Sequence, residues 1–100
     1  MTVNINNPSA TISATTTSAR VAYPADTDFV RVLNDGAAVA WLRSGDSSVT
    51  AAAGTGQFLH QNKSTIFRRN RNDTHIAAVM VSGTGTIYIS PVDADELMGF

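Results

Sequence analysis

His60 and His75, a scatter of serines and two small groups of acids are the side chains of this 100-residue chain best suited to acid–base or nucleophilic chemistry. A histidine acting as base or metal ligand needs converging partners, and an acid such as Asp73 would have to complete the set. The spacing of the two histidines matches no metal-ligand pattern, and each falls at a position that reads as strand. No serine lies in a nucleophile elbow. Two carboxyl groups can flank a sugar in glycoside hydrolysis, but Asp26 and Asp28 fall in a loop and Asp93, Asp95 and Glu96 in a tail. Gly54-Thr55-Gly56 and Gly83-Thr84-Gly85 begin like a phosphate-binding glycine loop, yet neither has the third glycine or the following helix. The reading is a chain that is not an enzyme and takes no cofactor or metal.

Residues suited to contact are easier to find. Arg68, Arg69 and Arg71 form the one basic cluster, with Asp73 beside it. Arginine offers planar, multi-donor contacts to acidic protein surfaces or phosphate. The alternative is a solvated loop, which is the favoured reading against nucleic acid. Trp41 suits a sugar ring or a partner's pocket if exposed; the favoured alternative makes it a core anchor. Arg31 shares a strand face with Phe29 and Leu33, and Arg43 shares one with Val39 and Trp41. Each such face is either rimmed by charge at the sandwich edge or is a subunit interface. Met98 and Phe100 complete the protein-contact candidates.

Composition bounds the frame. The length suits one domain with one modest core. Much of the 43% hydrophobic content is alanine, so few large side chains must carry that core. The expected carriers are Phe29, Val30, Val32, Leu33, Trp41, Leu42, Phe58, Leu59, Ile66, Phe67, Ile76, Val79, Met80, Val81, Ile87, Tyr88 and Ile89. A thin core gains stability by association, which points to a homo-oligomer. With 15% charged residues and a net charge of −1, broad capture of nucleic acid is disfavoured. Cysteine is absent, so neither disulfides nor a thiolate zinc site can form. No basic start with an apolar run suggests a signal peptide, and no apolar run is long enough to span a membrane as a helix.

The elements that must position these residues read as strands throughout. In FVRVLNDGAAVAWLR, residues 29–43, two alternating runs flank Asn34-Asp35-Gly36, which predicts a β-hairpin with a tight turn. Further strands are expected at residues 47–51, 57–60, 65–68, 75–81 and 86–90, the last stopped by Pro91. Residues 82–85 form a second turn in a closing hairpin. Residues 9–19 are almost entirely serine, threonine and alanine, and read as a flexible or edge segment or as an arm pairing with a neighbouring sheet. The expectation is an all-β antiparallel sandwich of seven or eight short strands, with an arm at 1–20, the sandwich at 21–92 and a tail at 93–100.

The order of features resembles small virion structural proteins of tailed bacteriophages. The resemblance rests on V-R-V-x-N-x-G-x-x-x-A at residues 30–40, Thr-His-Ile-Ala-Ala at 74–78, and a final strand from Gly85 to Pro91 that is similar to the family's G-T-x-x-Y-V-T-P pattern. It covers most of residues 29–93 and is a pattern of strands and turns, without catalytic residues. It implies a jelly-roll-like sandwich in the phage particle, assembled in the host cytoplasm. The commonest such role is a decoration or cement protein binding the major capsid protein; head-completion, tail and fibre-base roles are alternatives. A carbohydrate-binding module stacking sugars on Trp41, Tyr23 or Tyr88 is a third reading.

Overall fold

The computed structural model describes residues 9–25 and 27–92. Met98, Phe100 and the rest of the expected tail lie outside the described residues. Eight strands form two antiparallel four-stranded sheets, with no helix among the described residues. They are β1 (Ala10–Ala14), β2 (Ala19–Ala22), β3 (Phe29–Gly36), β4 (Ala40–Gly45), β5 (Gln57–Leu59), β6 (Lys63–Arg68), β7 (His75–Met80) and β8 (Gly85–Val92). The first sheet has the order β1-β8-β3-β6 and the second β2-β7-β4-β5.

Strand alternation decides what fills the core. Ile12 and Ala14 of β1, Val30 and Val32 of β3, and Ile87 and Ile89 of β8 point inward from the first sheet. Ala40 and Leu42, Leu59, and Ile76, Ala78 and Met80 face them from the second. Alanines at 14, 40 and 78 keep this layer thin, and the larger aliphatics of the opposite sheet fill the space they leave.

The hairpin expected over residues 29–43 does not form. β3 pairs with β6 and β8, whereas β4 pairs with β5 and β7. Asn34, Asp35 and Gly36 continue the strand, opposite Ile87, Thr86 and Gly85 of β8. They also lack the positive φ that a tight hairpin turn of this kind requires. The buried Asn34 side chain bridges the two layers instead. Its Nδ2 donates to the carbonyls of Ala38 and Leu59, both at 2.9 Å, and its Oδ1 accepts from the Gly36 N–H at 3.1 Å. Residues 82–85 likewise carry the chain from the second sheet to the first and close no hairpin. Every connection between successive strands changes sheet except the one joining β4 to β5.

Three further expectations are corrected. The described part of the arm takes the edge reading and not that of a strand pairing with a neighbouring sheet: β1 and β2 are edge strands of this chain's own sheets, β1 pairing with β8 and burying Ile12 and Ala14, β2 pairing with β7. Removing residues 1–18 would therefore delete a sheet strand. Residues 47–51 form no strand. They lie in the β4–β5 connection, which folds over the outer side of the second sheet so that Val49 and Ala51 pack on Ala77, Val79 and Trp41. The Ala51 N–H donates to Ser18 Oγ at 2.8 Å and pins that flap. β7 is thus apolar on both faces, which accounts for the unbroken Ile76–Met80 run. Finally, β8 continues through Pro91 to Val92. β1 pairs no further than Ile89, so a residue lacking an N–H is tolerated where one side of the strand has no described neighbour.

Candidate functional site

The contact candidates fall on three separate surfaces. On the second sheet, the inward side of β4 carries Ala40 and Leu42, which turns Trp41 and Arg43 outward. Trp41 is therefore not the core anchor expected from sequence. Arg43 on the same face is exposed, and a lone guanidinium cannot be buried without a partner, so the alanine-bearing face goes in. Trp41 lies half-buried against the flap, and its neighbour Phe58 on the edge strand β5 is 51% exposed. The two ring centroids are 5.5 Å apart at an interplanar angle of 58°, and His60 meets Phe58 edge-on at 5.3 Å. The result is an aromatic strip along the edge of the second sheet.

The first sheet exposes a different face. Leu33 and Tyr88 sit opposite each other on β3 and β8, Arg31 lies between Ser90 and Ile66, and Phe29 lies between Val92 and Arg68. Leu33, Ile66 and Tyr88, all expected in the core, are 36–39% exposed on this outer side. Val81 and Phe58 are likewise exposed against expectation. The signal that could have separated these residues from the core was strand parity: Leu33 alternates with the buried Val32 and Asn34, and Tyr88 with the buried Ile87 and Ile89.

The arginine cluster divides. Arg69 is 6% exposed and braces the end of the sandwich, so it is corrected from contact candidate to structural bracket. Its Nε donates to the Thr27 carbonyl at 2.6 Å, its Nη1 to the Asp73 carbonyl at 2.7 Å, and its backbone N–H to the Asp28 carbonyl at 2.7 Å. Its guanidinium carbon lies 5.4 Å from the centre of the Tyr23 ring. Arg68 and Arg71 are exposed. Arg31 is half-buried on the first sheet, and Arg43 is exposed on the outside of the second. The structure thus does not gather the candidate arginines into one site.

Tyr23 is one of two side chains with a shifted pKa among the described residues. Burial raises its pKa above the ordinary 10.0, opposed by a 2.6 Å hydrogen bond with Ser44. Because the folded value is raised, this contribution to stability is complete below pH 10.0 and is lost as pH rises through the folded pKa. The urea midpoint of the native chain should therefore fall at alkaline pH, and Tyr23→Phe should lack that part of the fall.

The histidines do not converge. Leu59, next to His60, pairs with Ala40, whereas His75 pairs with Gly45. These mark opposite ends of β4, about 17 Å apart at 3.4 Å per residue. No group of three metal-ligating side chains occurs among the described residues. An open groove of about 340 Å³ runs along Arg43, Gly45, Asp46 and the flap. Its one acid is committed to the loop: Asp46 accepts from the Ser48 N–H at 2.9 Å and hydroxyl at 2.6 Å, and these bonds lower its pKa. A second cleft, of about 120 Å³ between Tyr23, Leu42, Phe67 and Ile76, is smaller than the roughly 300 Å³ at which ligand pockets begin. No family model, curated protein or solved structure matches the chain.

Proposed function

We propose that this protein is a non-enzymatic structural subunit of a tailed-bacteriophage particle, most simply a decoration protein that binds the major capsid protein as an oligomer and braces the shell. The observation that carries the reading is the aromatic strip. Phe58 is 51% exposed beside Trp41, with the exposed Arg43 two residues along the same strand face. Tryptophan, tyrosine and arginine dominate protein hot spots, and a large aromatic held rigid by its neighbours loses little freedom on binding. The strand order adds support. Two four-stranded layers in which all but one connection change sheet support a jelly-roll reading, an architecture common in capsid proteins. Modest affinity per copy suffices, because an oligomer engaging several capsid subunits gains avidity. Such a subunit would assemble onto particles in the bacterial cytoplasm and needs no cofactor, membrane or direct nucleic-acid contact.

Purified protein should co-sediment with phage capsids that lack it, and Phe58→Ser should weaken that binding at least tenfold with an unchanged thermal melt. Failure to bind any capsid or tail assembly overturns the reading; binding to tails alone would move it to a head-completion, tail or fibre-base role. The same strip favours one further reading, because lectin domains also use the jelly roll and stack sugars on exposed aromatics. Retention on a glycan array, lost in Trp41→Ala and Phe58→Ser, would favour that module.

A further inference from the structure

We infer that the outer face of the first sheet is a self-association surface that pairs two copies of this chain around a two-fold axis. The central strand β3 presents Phe29, Arg31, Leu33 and Asp35 outward, alternating with the buried Val30, Val32 and Asn34. Along that strand a cation, an apolar side chain and an anion follow at equal spacing. Arg31 and Asp35 are about 13 Å apart at their α-carbons, with Leu33 between them. A two-fold axis lying in the interface, perpendicular to β3 and passing over Leu33, reverses the strand. It places Leu33 on its own copy, Arg31 over the second copy's Asp35, and Asp35 over the second copy's Arg31. A two-fold interface requires a patch complementary to itself, and this sequence of charges meets that requirement about its midpoint.

The flanking strands fit the same operation. Tyr88 lies at the level of Leu33, opposite it in the β3–β8 ladder, and Thr11 lies opposite Tyr88 in the next ladder. The axis therefore stacks an apolar Leu33–Tyr88 row on itself, with serines and threonines around it (Ser13, Thr86, Ser64 and Ser90). Three of the five large hydrophobic side chains exposed in the described residues are on this face: Leu33 at 37%, Ile66 at 36% and Tyr88 at 39%. Four strands spaced about 4.8 Å apart and roughly 24 Å long give a footprint near 450 Å² per copy. Doubling that gives about 900 Å², the size of a weak or transient interface and just under the roughly 1,000 Å² that a biological interface should clear. Sheet-on-sheet packing of this kind is the geometry the sandwich already uses internally. The pairing supplies the oligomer required by the capsid reading but does not depend on it, because the aromatic strip lies on the opposite sheet and stays free.

Sedimentation equilibrium of the full chain, without capsids, tests the inference. A concentration-dependent monomer–dimer equilibrium is expected. Leu33→Asp should raise the dissociation constant at least tenfold, as should Arg31→Asp and Asp35→Arg singly. The double exchange Arg31→Asp with Asp35→Arg should return it to within about threefold of the native value, since the pairing across the axis is restored. Circular dichroism should show all four variants folded. A chain that stays monomeric at high concentration overturns the inference, as does a trimer. A dimer indifferent to both Leu33→Asp and the single charge changes, or single losses that the double exchange fails to repair, also overturns it. If Leu33→Asp unfolds, the charge exchange alone decides.

Discussion

Asn34→Asp is expected to remove a large share of the protein's stability at neutral pH, although it changes the side chain by one atom. The native amide, on the first sheet, donates to the carbonyl of Ala38 in the β3–β4 connection and to that of Leu59 on β5 of the second sheet. A carboxylate has no donor to offer. Two buried acceptors would lose their partners, at about 1–3 kcal/mol each. They would also face a buried negative charge. The sum is about 4 kcal/mol or more, a large share of the roughly 5–15 kcal/mol that holds a domain together. Asn34→Leu, which breaks the same bonds without adding charge, should cost about 3 kcal/mol. The two variants separate by pH. The introduced carboxyl would have a raised folded pKa, so the aspartate variant should regain stability as pH falls, whereas the leucine variant should not. Urea midpoints at neutral and mildly acidic pH measure the difference. Equal, small losses in both would show that the two layers are not joined through this residue.

Gly85→Ala should produce the second large loss, about 3 kcal/mol. Gly85 and Gly36 face each other at the end of the β3–β8 ladder. A β-carbon on Gly85 would lie 2.6 Å from the Gly36 α-carbon and 3.3 Å from its nitrogen, and backbone cannot swing aside as a side chain can. On Gly36 the nearest atom is the Met80 methyl at 2.7 Å. That flexible end can move, so Gly36→Ala should cost less unless the Gly85 α-carbon, at 3.2 Å, holds it. Gly83→Ala is the control. Its β-carbon would meet open space, and the penalty comes only from the left-handed backbone, φ 66°, at about 1 kcal/mol. Thermal melts of the three variants should therefore rank Gly85→Ala lowest. A Gly83→Ala loss as large as that of Gly85→Ala would mean that conformational freedom, not close approach, selects glycine at the crossing.

Both predictions arise where the local reading of the chain misled. Asn34-Asp35-Gly36 has the composition of a hairpin turn, and turn propensity is a local property. Its actual use is set by what lies across the sandwich: carbonyls of residues 38 and 59 that need a donor, and a glycine at 85 that lets two backbones approach. The same holds for Trp41. Its strand and its face-mates were legible, because alternation is local, but alternation says nothing about which face looks inward. The choice fell to Ala40 and Leu42, since Arg43 accompanies Trp41 and has no partner inside. The β4–β5 flap was illegible for a related reason. Val49 and Ala51 look like strand residues, and only the apolar Ala77 and Val79 on the outer side of β7, buried beneath the flap, give them a surface to cover.

By itself the sequence determined the strand content, most of the strand positions and the parity within each strand. Turn residues and period-two alternation act over a few residues and leave their mark directly in the chain. The sheet partners, the facing of Trp41, the burial of Arg69 and the exposed rows of the two outer faces were decided by tertiary structure. Each depends on residues far apart in sequence competing for one interior. That interior accepts only the strand faces whose side chains are apolar, small enough for the opposing layer, and free of unpartnered charge.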